Sequence, residues 1–249
     1  MATASGMRVA VVIPTLDEEA AIAGVVGGVV ALVPPGIVDD IIVADSASTD
    51  RTVEVALAAG ARIVSESRRG YGRACRAGAE AAANCDIIVF LDGDGSDCPE
   101  LIPLLIEPIA DGRADFVIGS RTRGAREPGS MSAHQILAGY AIGAALHLLY
   151  GVRYTDMGPF RAIRRDALMG LGMRETSYGW NLEMQMRAAR NGLRIIELPV
   201  AHRCRAGGLS KVSGSLGGTL KASWRILLTF ARIALEGRPI LPSCAPERR

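Results

Sequence analysis

Along the first half of the chain, short apolar runs alternate with segments whose apolar residues recur every three or four positions. Residues 8–15 (RVAVVIPT) are a β-branched run ending at proline and read as a strand. A helical period follows from Glu18 to about Leu32, and the PPG at 34–36 closes it. Residues 40–45 (DIIVAD) predict a second strand. Asp50 is placed to cap a helix that stops at Gly60. Residues 61–66 give a third, shorter strand, and the glycine loop RRGYG leads into an alanine-rich helix. Residues 86–92 (DIIVFLD) are apolar at every interior position, as suits a central parallel strand buried on both faces.

This rhythm predicts an α/β fold: a mostly parallel, doubly wound (Rossmann-like) central sheet with flanking helices. Ligands bind such sheets at the carboxyl ends of the strands. Four polar clusters fall there, at 15–19, 45–50, 68–73 and 92–97. The second half is less regular. A strand in ADFVIGSRTRGARE ends at Arg121 and Arg123; an apolar helix covers 136–151; a helix in SYGWNLEMQMRAARNG closes at Asn191 and Gly192. A strand with a basic end (LRIIELPVAHRCR), a glycine- and serine-rich loop and an amphipathic helix complete the pattern, and residues 238–249 read as a loose tail.

Composition narrows the classes. The chain has 249 residues, 49% of them hydrophobic, enough for one large α/β domain or two small ones. With 28 basic and 26 acidic residues it lacks the basic excess of a nucleic-acid-binding protein, so no nucleic-acid partner is expected. The five cysteines (Cys75, Cys85, Cys98, Cys204 and Cys244) form no CxxC pair or zinc spacing, and read as reduced thiols of a cytoplasmic protein. The N-terminus lacks a signal-peptide pattern. The apolar stretch 136–151 is interrupted by His147 and is shorter than the roughly 20 residues a bilayer needs. It reads as a buried or groove-lining helix, with peripheral contact at the inner face of a membrane and a homo-oligomer left open.

The segment 89–100, VFLDGDGSDCPE, crowds Asp92, Asp94, Ser96 and Asp97 behind a strand. An EF-hand loop beginning at Asp92 would need Gly at its sixth position and Glu at its twelfth, where Asp97 and Pro103 stand. Two readings remain. One is a solvated turn in which Asp97 caps a helix starting near Pro99. The other is a divalent metal held by Asp92 and Asp94, since Mg²⁺ or Mn²⁺ prefers few carboxylates, several waters and phosphate oxygens. Such an ion would neutralise a leaving diphosphate.

The segments VVIPTLDEEAAI, IIVADSASTDRT, RGYG and VFLDGDGSDCPE resemble family 2 glycosyltransferases of the GT-A fold. GSRTRG, TDMGPFRAIRR, YGWNLEMQMRAARNG and RAGGLSK resemble the branch of dolichyl- or polyprenyl-phosphate mannose and glucose synthases, over roughly 8–228. The resemblance implies one GT-A domain over 1–237, with a nucleotide-sugar half (1–120) and an acceptor half (121–237). It implies metal-dependent, inverting transfer of a hexose from UDP-glucose or GDP-mannose to a polyprenyl phosphate. Pro14, Thr15, Leu16 and Glu18 match the first nucleotide-binding segment, and Asp45 and Ser46 the second, with Asp45 accepting from the base. Gly72 and Arg73 match the loop beside the nucleotide. Asp92, Gly93 and Asp94 match the metal and diphosphate site, and Ser96 a weaker third contact. Arg121 matches an arginine near the phosphates; Arg205, Ser210 and Lys211 match a loop that closes on the diphosphate.

Many family 2 enzymes carry Glu-Asp on the acceptor-side helix, the Asp being the general base. Aligning Arg187 and Gly192 places Asn181 at the base position and Glu183 two residues on, and the polyprenyl-phosphate branch keeps such a glutamate. A hydroxyl acceptor benefits from a base. A phosphate monoester is already anionic and needs cations instead, which Arg121, Arg123, Arg161, Arg203 and Arg205 are expected to supply. The catalytic candidates are Asp94, Arg121, Glu183 and His134, the last being either an acceptor contact or a structural helix-start histidine. Residues 131–151 lack the arginine usual in this branch, which keeps a soluble phosphorylated or sugar acceptor open. A non-catalytic nucleotide-sugar binding module would require idle metal acids. A nucleotidyltransferase is set aside, since IPTLDEEAAI has neither a glycine-rich loop nor an Arg-Lys pair. The C-terminal helix (Trp224, Ile226, Leu227, Phe230 and Ile233) is expected to pack on the sheet rather than on a membrane.

Overall fold

A computed structural model describes residues 6–207 and 216–236, with side chains in the last helix described from residue 223. Ser210, Lys211, Cys244 and the expected tail at 238–249 lie outside the described residues. The elements run β1 (Val9–Thr15), α1 (Ile22–Leu32), β2 (Asp40–Asp45), α2 (Thr52–Ala58), β3 (Arg62–Ser65), α3 (Tyr71–Ala81), β4 (Ile87–Phe90), α4 (Ile102–Ala110), β5 (Phe116–Ser120), α5 (Ala133–Tyr150), β6 (Arg161–Arg164), α6 (Arg165–Gly170), α7 (Trp180–Arg190), β7 (Ile195–Pro199) and α8 (Leu216–Leu235).

The strands form one seven-stranded sheet in the order β3-β2-β1-β4-β6-β5-β7. Six strands point the same way and β6 runs against its neighbours β4 and β5. The doubly wound, mostly parallel sheet is as expected; the antiparallel β6 is not visible in the sequence pattern. Its sequence, RAIR, is short and bounded by arginines, which suits an exposed segment, yet Arg161 is fully buried.

Alternation along each strand divides the core into two layers. Ala10, Val12, Ile88 and Phe90 face α3, α6, α7 and α8, and the Phe90 and Trp180 rings pack edge-to-face with centroids 6.4 Å apart. Val9, Val11, Ile13, Ile87 and Val89 face α1, α2 and α4.

Two helices depart from expectation. Helix α5 begins three residues earlier, with a capping box between Ser132 and Gln135, and it is not buried. Gly139, Gly143 and Leu146 face inward, while Leu137, Tyr140 and Leu148 are exposed. Helix α8 lays Thr229 and Ile233 into the core beside α7 but leaves Trp224, Leu227, Leu228 and Leu235 exposed. No helix among the described residues is long and apolar enough to cross a membrane.

Arg161 was expected to hold the acceptor anion; instead it is a core residue. Its Nε donates to the Gly158 carbonyl at 3.1 Å, its Nη1 to the Asn181 carbonyl at 3.1 Å, and its Nη2 also to Gly158. Its guanidinium carbon lies 5.7 Å from the Phe116 ring centroid. Removing it opens a cavity and strips the buried Gly158 carbonyl and the partly buried Asn181 carbonyl of a donor. Arg161→Ala is therefore expected to lower the unfolding free energy by about 3 kcal/mol or more. Urea denaturation followed by circular dichroism checks this, and a loss below about 1 kcal/mol would contradict the bonding role.

Candidate active site

The topology gathers the polar ends of the strands. Thr15 of β1 pairs with Asp45 of β2, which pairs with Ser65 of β3. Past β4, the Leu91 amide donates to the Val12 carbonyl at 3.1 Å, and the acidic loop 92–97 emerges beside Thr15. A Cβ on Gly93 would come within 2.8 Å of the Thr15 methyl, so a glycine is needed between the two aspartates. Because β6 is antiparallel it starts at this same edge and brings residues 154–160 with it. The chain leaving β7 returns over the acidic loop: the Arg203 amide donates to the Ser96 carbonyl at 2.8 Å, and the Ala206 amide to the Asp94 carbonyl at 2.9 Å.

On one side lies a polar floor. Asp45 is buried, takes the Thr15 hydroxyl at 3.4 Å on Oδ1 and the Ser48 amide at 3.1 Å on Oδ2. Ser46 receives the Gly70 amide at 2.8 Å and donates to the Arg68 carbonyl at 3.2 Å, tying β2 to the RGYG loop. Asp50 acts near its expected capping place, accepting the Thr52 amide at 2.9 Å and the Glu19 amide at 3.1 Å. Pro14 and Glu18 are buried and Leu16 is half-buried; the Glu18 amide donates to Thr52 Oγ1 at 2.8 Å. Gly72 sits so close to the Glu175 carbonyl that a Cβ would approach it to 2.6 Å, and the next amide, of Arg73, donates to the Thr176 carbonyl at 3.2 Å.

The acidic loop is organised from within. The Asp92 amide donates to Asp97 Oδ2 at 3.1 Å, so Asp97 holds the loop rather than capping a helix as expected; the short turn after it has no side-chain cap. Ser96 gives both its amide (2.9 Å) and its hydroxyl (2.6 Å) to Asp94 Oδ1. Partial burial, and then the neighbouring Asp94 and Asp97, push the Asp92 carboxyl well above the ordinary carboxylate range, against a Tyr71 hydroxyl donated at 3.2 Å. Among the described residues no three His, Cys, Asp or Glu side chains are already gathered as a metal cage. Behind Asp97, buried His202 turns Nδ1 towards Asp97 Oδ1 at 3.7 Å. A lone histidine at a strand end carries no sequence signal that would have singled it out.

The arginines divide by partner. Arg121 forks onto Asp156, Nε to Oδ2 and Nη2 to Oδ1, both at 2.8 Å, and the Arg121 amide adds a third bond at 2.9 Å. Burial would lower the guanidinium, but Asp156, with Asp97 and Asp92 in range, raises it. Burial would likewise raise Asp156, yet Arg121 takes it below the ordinary range. Arg203 pairs with Glu100, Arg123 donates to the Glu197 carbonyl at 2.8 Å, and Arg205 reaches Glu18 and Asp94, both at 3.1 Å. Asp156 stands in the TDMG motif, but its service to Arg121 is visible only once β6 is seen to be antiparallel.

Residues 10–172 match the pattern of glycosyl transferase family 2. The chain is 36% identical to an uncharacterised glycosyltransferase of Mycobacterium tuberculosis, over 90% of this chain and 99% of that one. It is 32% identical to the undecaprenyl-phosphate mannosyltransferase of Micrococcus luteus, over 85% of this chain and 90% of that one. The chain belongs to glycosyl transferase family 2. A crystal structure of glucosyl-3-phosphoglycerate synthase from Mycobacterium tuberculosis, in complex with Mn²⁺, uridine diphosphate and glucosyl-3-phosphoglycerate, superposes with a TM-score of 0.74. It shares 27% identity and covers 92% of this chain and 81% of that one. The sheet described above is thus the GT-A fold of this glycosyltransferase.

Within the transferase, Asn181 and Glu183 lie two residues apart on α7 and so face opposite ways. Asn181 lies on the side of Tyr71, whose hydroxyl donates to Asp92. Glu183 was expected among the catalytic groups; the structure instead buries it completely. Its carboxylate accepts the Arg174 amide (2.9 Å), the Glu175 amide (2.5 Å), Arg187 Nε (2.9 Å) and Arg232 Nη2 (3.0 Å), which leaves it no role as a proton acceptor. His134 is exposed in the first turn of α5, its Nε2 3.1 Å from the hydroxyl of Ser132, as a helix-start histidine would be.

The Arg121–Asp156 lock has a pH signature. A carboxyl lowered on folding adds stability above its unfolded value of about 3.9, and that stability is lost as pH falls through the folded value. Asp156→Asn is expected to cost about 3 kcal/mol at pH 7. The gap between wild type and variant should then narrow below about pH 4. Urea unfolding from pH 7 to pH 3 checks this, and parallel profiles would contradict it.

Proposed function

We propose that this glycosyltransferase moves a hexose, with inversion, from a nucleotide-diphosphate sugar to a phosphate-bearing acceptor, and that the acceptor is a polyprenyl phosphate. The single observation that carries the donor half is the Asp92–Asp94 pair. It stands just past β4 at the carboxyl edge of the sheet, with the Asp45 floor two strands away. Asp45 accepts an N–H of the base, and Thr15, Ser46, Gly72 and Arg73 line its approach. Asp92 and Asp94 suit a divalent metal of the Mg²⁺ or Mn²⁺ kind, with water and diphosphate oxygens completing its shell. That ion supplies charge neutralisation as the nucleoside diphosphate leaves. Residues 1–237 act as one domain in this reading.

The acceptor half rests on Asn181. With an amide where a general base would stand, and Glu183 turned away, neither of these two positions on α7 deprotonates a hydroxyl. A phosphate monoester needs none, since its second ionisation lies near pH 6. Arg121, held rigid by Asp156, faces it as a preorganised cation. The lipid is favoured by α5. That helix has no charged residue, exposes Leu137, Tyr140 and Leu148, and presses on the segment holding Asp156: a Cβ on Gly139 would lie 3.3 Å from the Thr155 carbonyl. The likeness to glucosyl-3-phosphoglycerate synthase supports a second reading, in which the phosphorylated acceptor is water-soluble.

Purified enzyme incubated with UDP-glucose or GDP-mannose, Mn²⁺ and polyprenyl phosphate in detergent is expected to yield a lipid-linked hexose. Transfer to soluble phosphorylated acids or sugars, with none to lipid, would decide for the second reading. Asp94→Asn is expected to lower kcat/KM by about a hundredfold or more while leaving the fold intact. Undiminished turnover in that variant would remove the metal site from the mechanism.

A further inference from the structure

Arg205 occupies the ground that the donor's cation would need. Its Nη1 lies 3.1 Å from Asp94 Oδ2 and its Nη2 lies 3.1 Å from Glu18 Oε1. Asp94 Oδ1 is already bonded by the amide and hydroxyl of Ser96, so each oxygen of Asp94 has a donor. The backbone does not require this placement of the side chain. The segment is held independently by the amides of Arg203 and Ala206 on the carbonyls of Ser96 and Asp94. The guanidinium is also incompletely used: its Nε is buried and has no hydrogen-bond partner among the described residues. Ion pairs on a side chain 30% exposed are weak enough to be exchanged.

We propose that Arg205 is a stand-in cation that keeps a divalent metal off Asp94 until a nucleoside diphosphate arrives to receive the guanidinium. This rests on the reading of Asp92 and Asp94 as the metal site and adds an order to it. A metal ion arriving alone must evict one cation from Asp94 and leave it beside another. A metal ion arriving with a diphosphate brings an anion onto which the arginine can fork. Metal and nucleotide therefore raise each other's affinity, and the arginine carries part of that coupling.

The test is Mn²⁺ titration of the full chain, followed by the electron paramagnetic resonance signal of free Mn²⁺, alone and with UDP or GDP. Without nucleotide, Arg205→Gln is expected to bind Mn²⁺ about three- to tenfold more tightly than wild type, the range that two partly exposed ion pairs span. Arg205→Lys, which keeps the charge, should stay close to wild type. Nucleotide should then tighten Mn²⁺ binding more in wild type than in Arg205→Gln. The proposal is overturned if Arg205→Gln binds no more tightly than wild type, or if Arg205→Lys tightens as much as Gln, while nucleotide still promotes Mn²⁺ uptake. If no form takes up Mn²⁺ with either nucleotide, the metal site itself is wrong and the stand-in role falls with it. Thermal unfolding of each variant shows that the fold is kept.

Discussion

Carboxylate repulsion at one sheet edge is the constraint around which this molecule is arranged. Parallel strands deliver Glu18, Asp92, Asp94 and Asp97 to the same place, and unit charges about 4 Å apart at a protein surface oppose one another by several kcal/mol. The chain meets this with cations of two kinds. Arg121 and Arg161 are immobile: one is forked onto Asp156, the other spends its donors on the Gly158 and Asn181 carbonyls. They set a constant positive background behind the acids. Arg205 sits on the rim, is partly solvated and touches the acids directly. A site that must admit and release a charged ligand needs at least one cation that can move, and the fold supplies it at the place where metal and diphosphate would enter.

How much of this could be read from the sequence follows the physics of each feature. β4 was legible because a strand buried on both faces is apolar throughout, and β1 and β2 because each carries an unbroken apolar run. With them came the edge where Thr15, Asp45, Asp92 and Asp94 meet. β6 was not, because the side chain that looks exposed, Arg161, is buried by carbonyl acceptors and an aromatic ring that no sequence pattern announces. Losing β6 meant losing Asp156, which reaches Arg121 only because an antiparallel strand starts where its neighbours end. For α5 the composition allows a buried or a groove-lining helix and cannot tell a helix facing the core from one exposing apolar residues; its weak sidedness holds no answer. For Glu183 the resemblance pointed to the right helix, but the i, i+2 geometry turns that residue away from Asn181.

That turning away gives Glu183 a different importance. Its Oε2 gathers the amides of Arg174 and Glu175, and Glu175 in turn accepts the Ser177 hydroxyl and the Thr229 hydroxyl of α8. The loop so gathered is the one whose carbonyls press against Gly70 and Gly72 and accept the Arg73 amide. Those contacts set where α3 starts, and its first residue, Tyr71, donates to Asp92. A chain of contacts thus runs from Thr229 and Arg232 of α8, through Glu175 and Glu183, to the RGYG loop and Asp92. A buried carboxylate with four donors is costly to leave partly satisfied. The link is therefore stiff, and the placement of Tyr71 against Asp92 depends in part on Thr229 and Arg232 of α8.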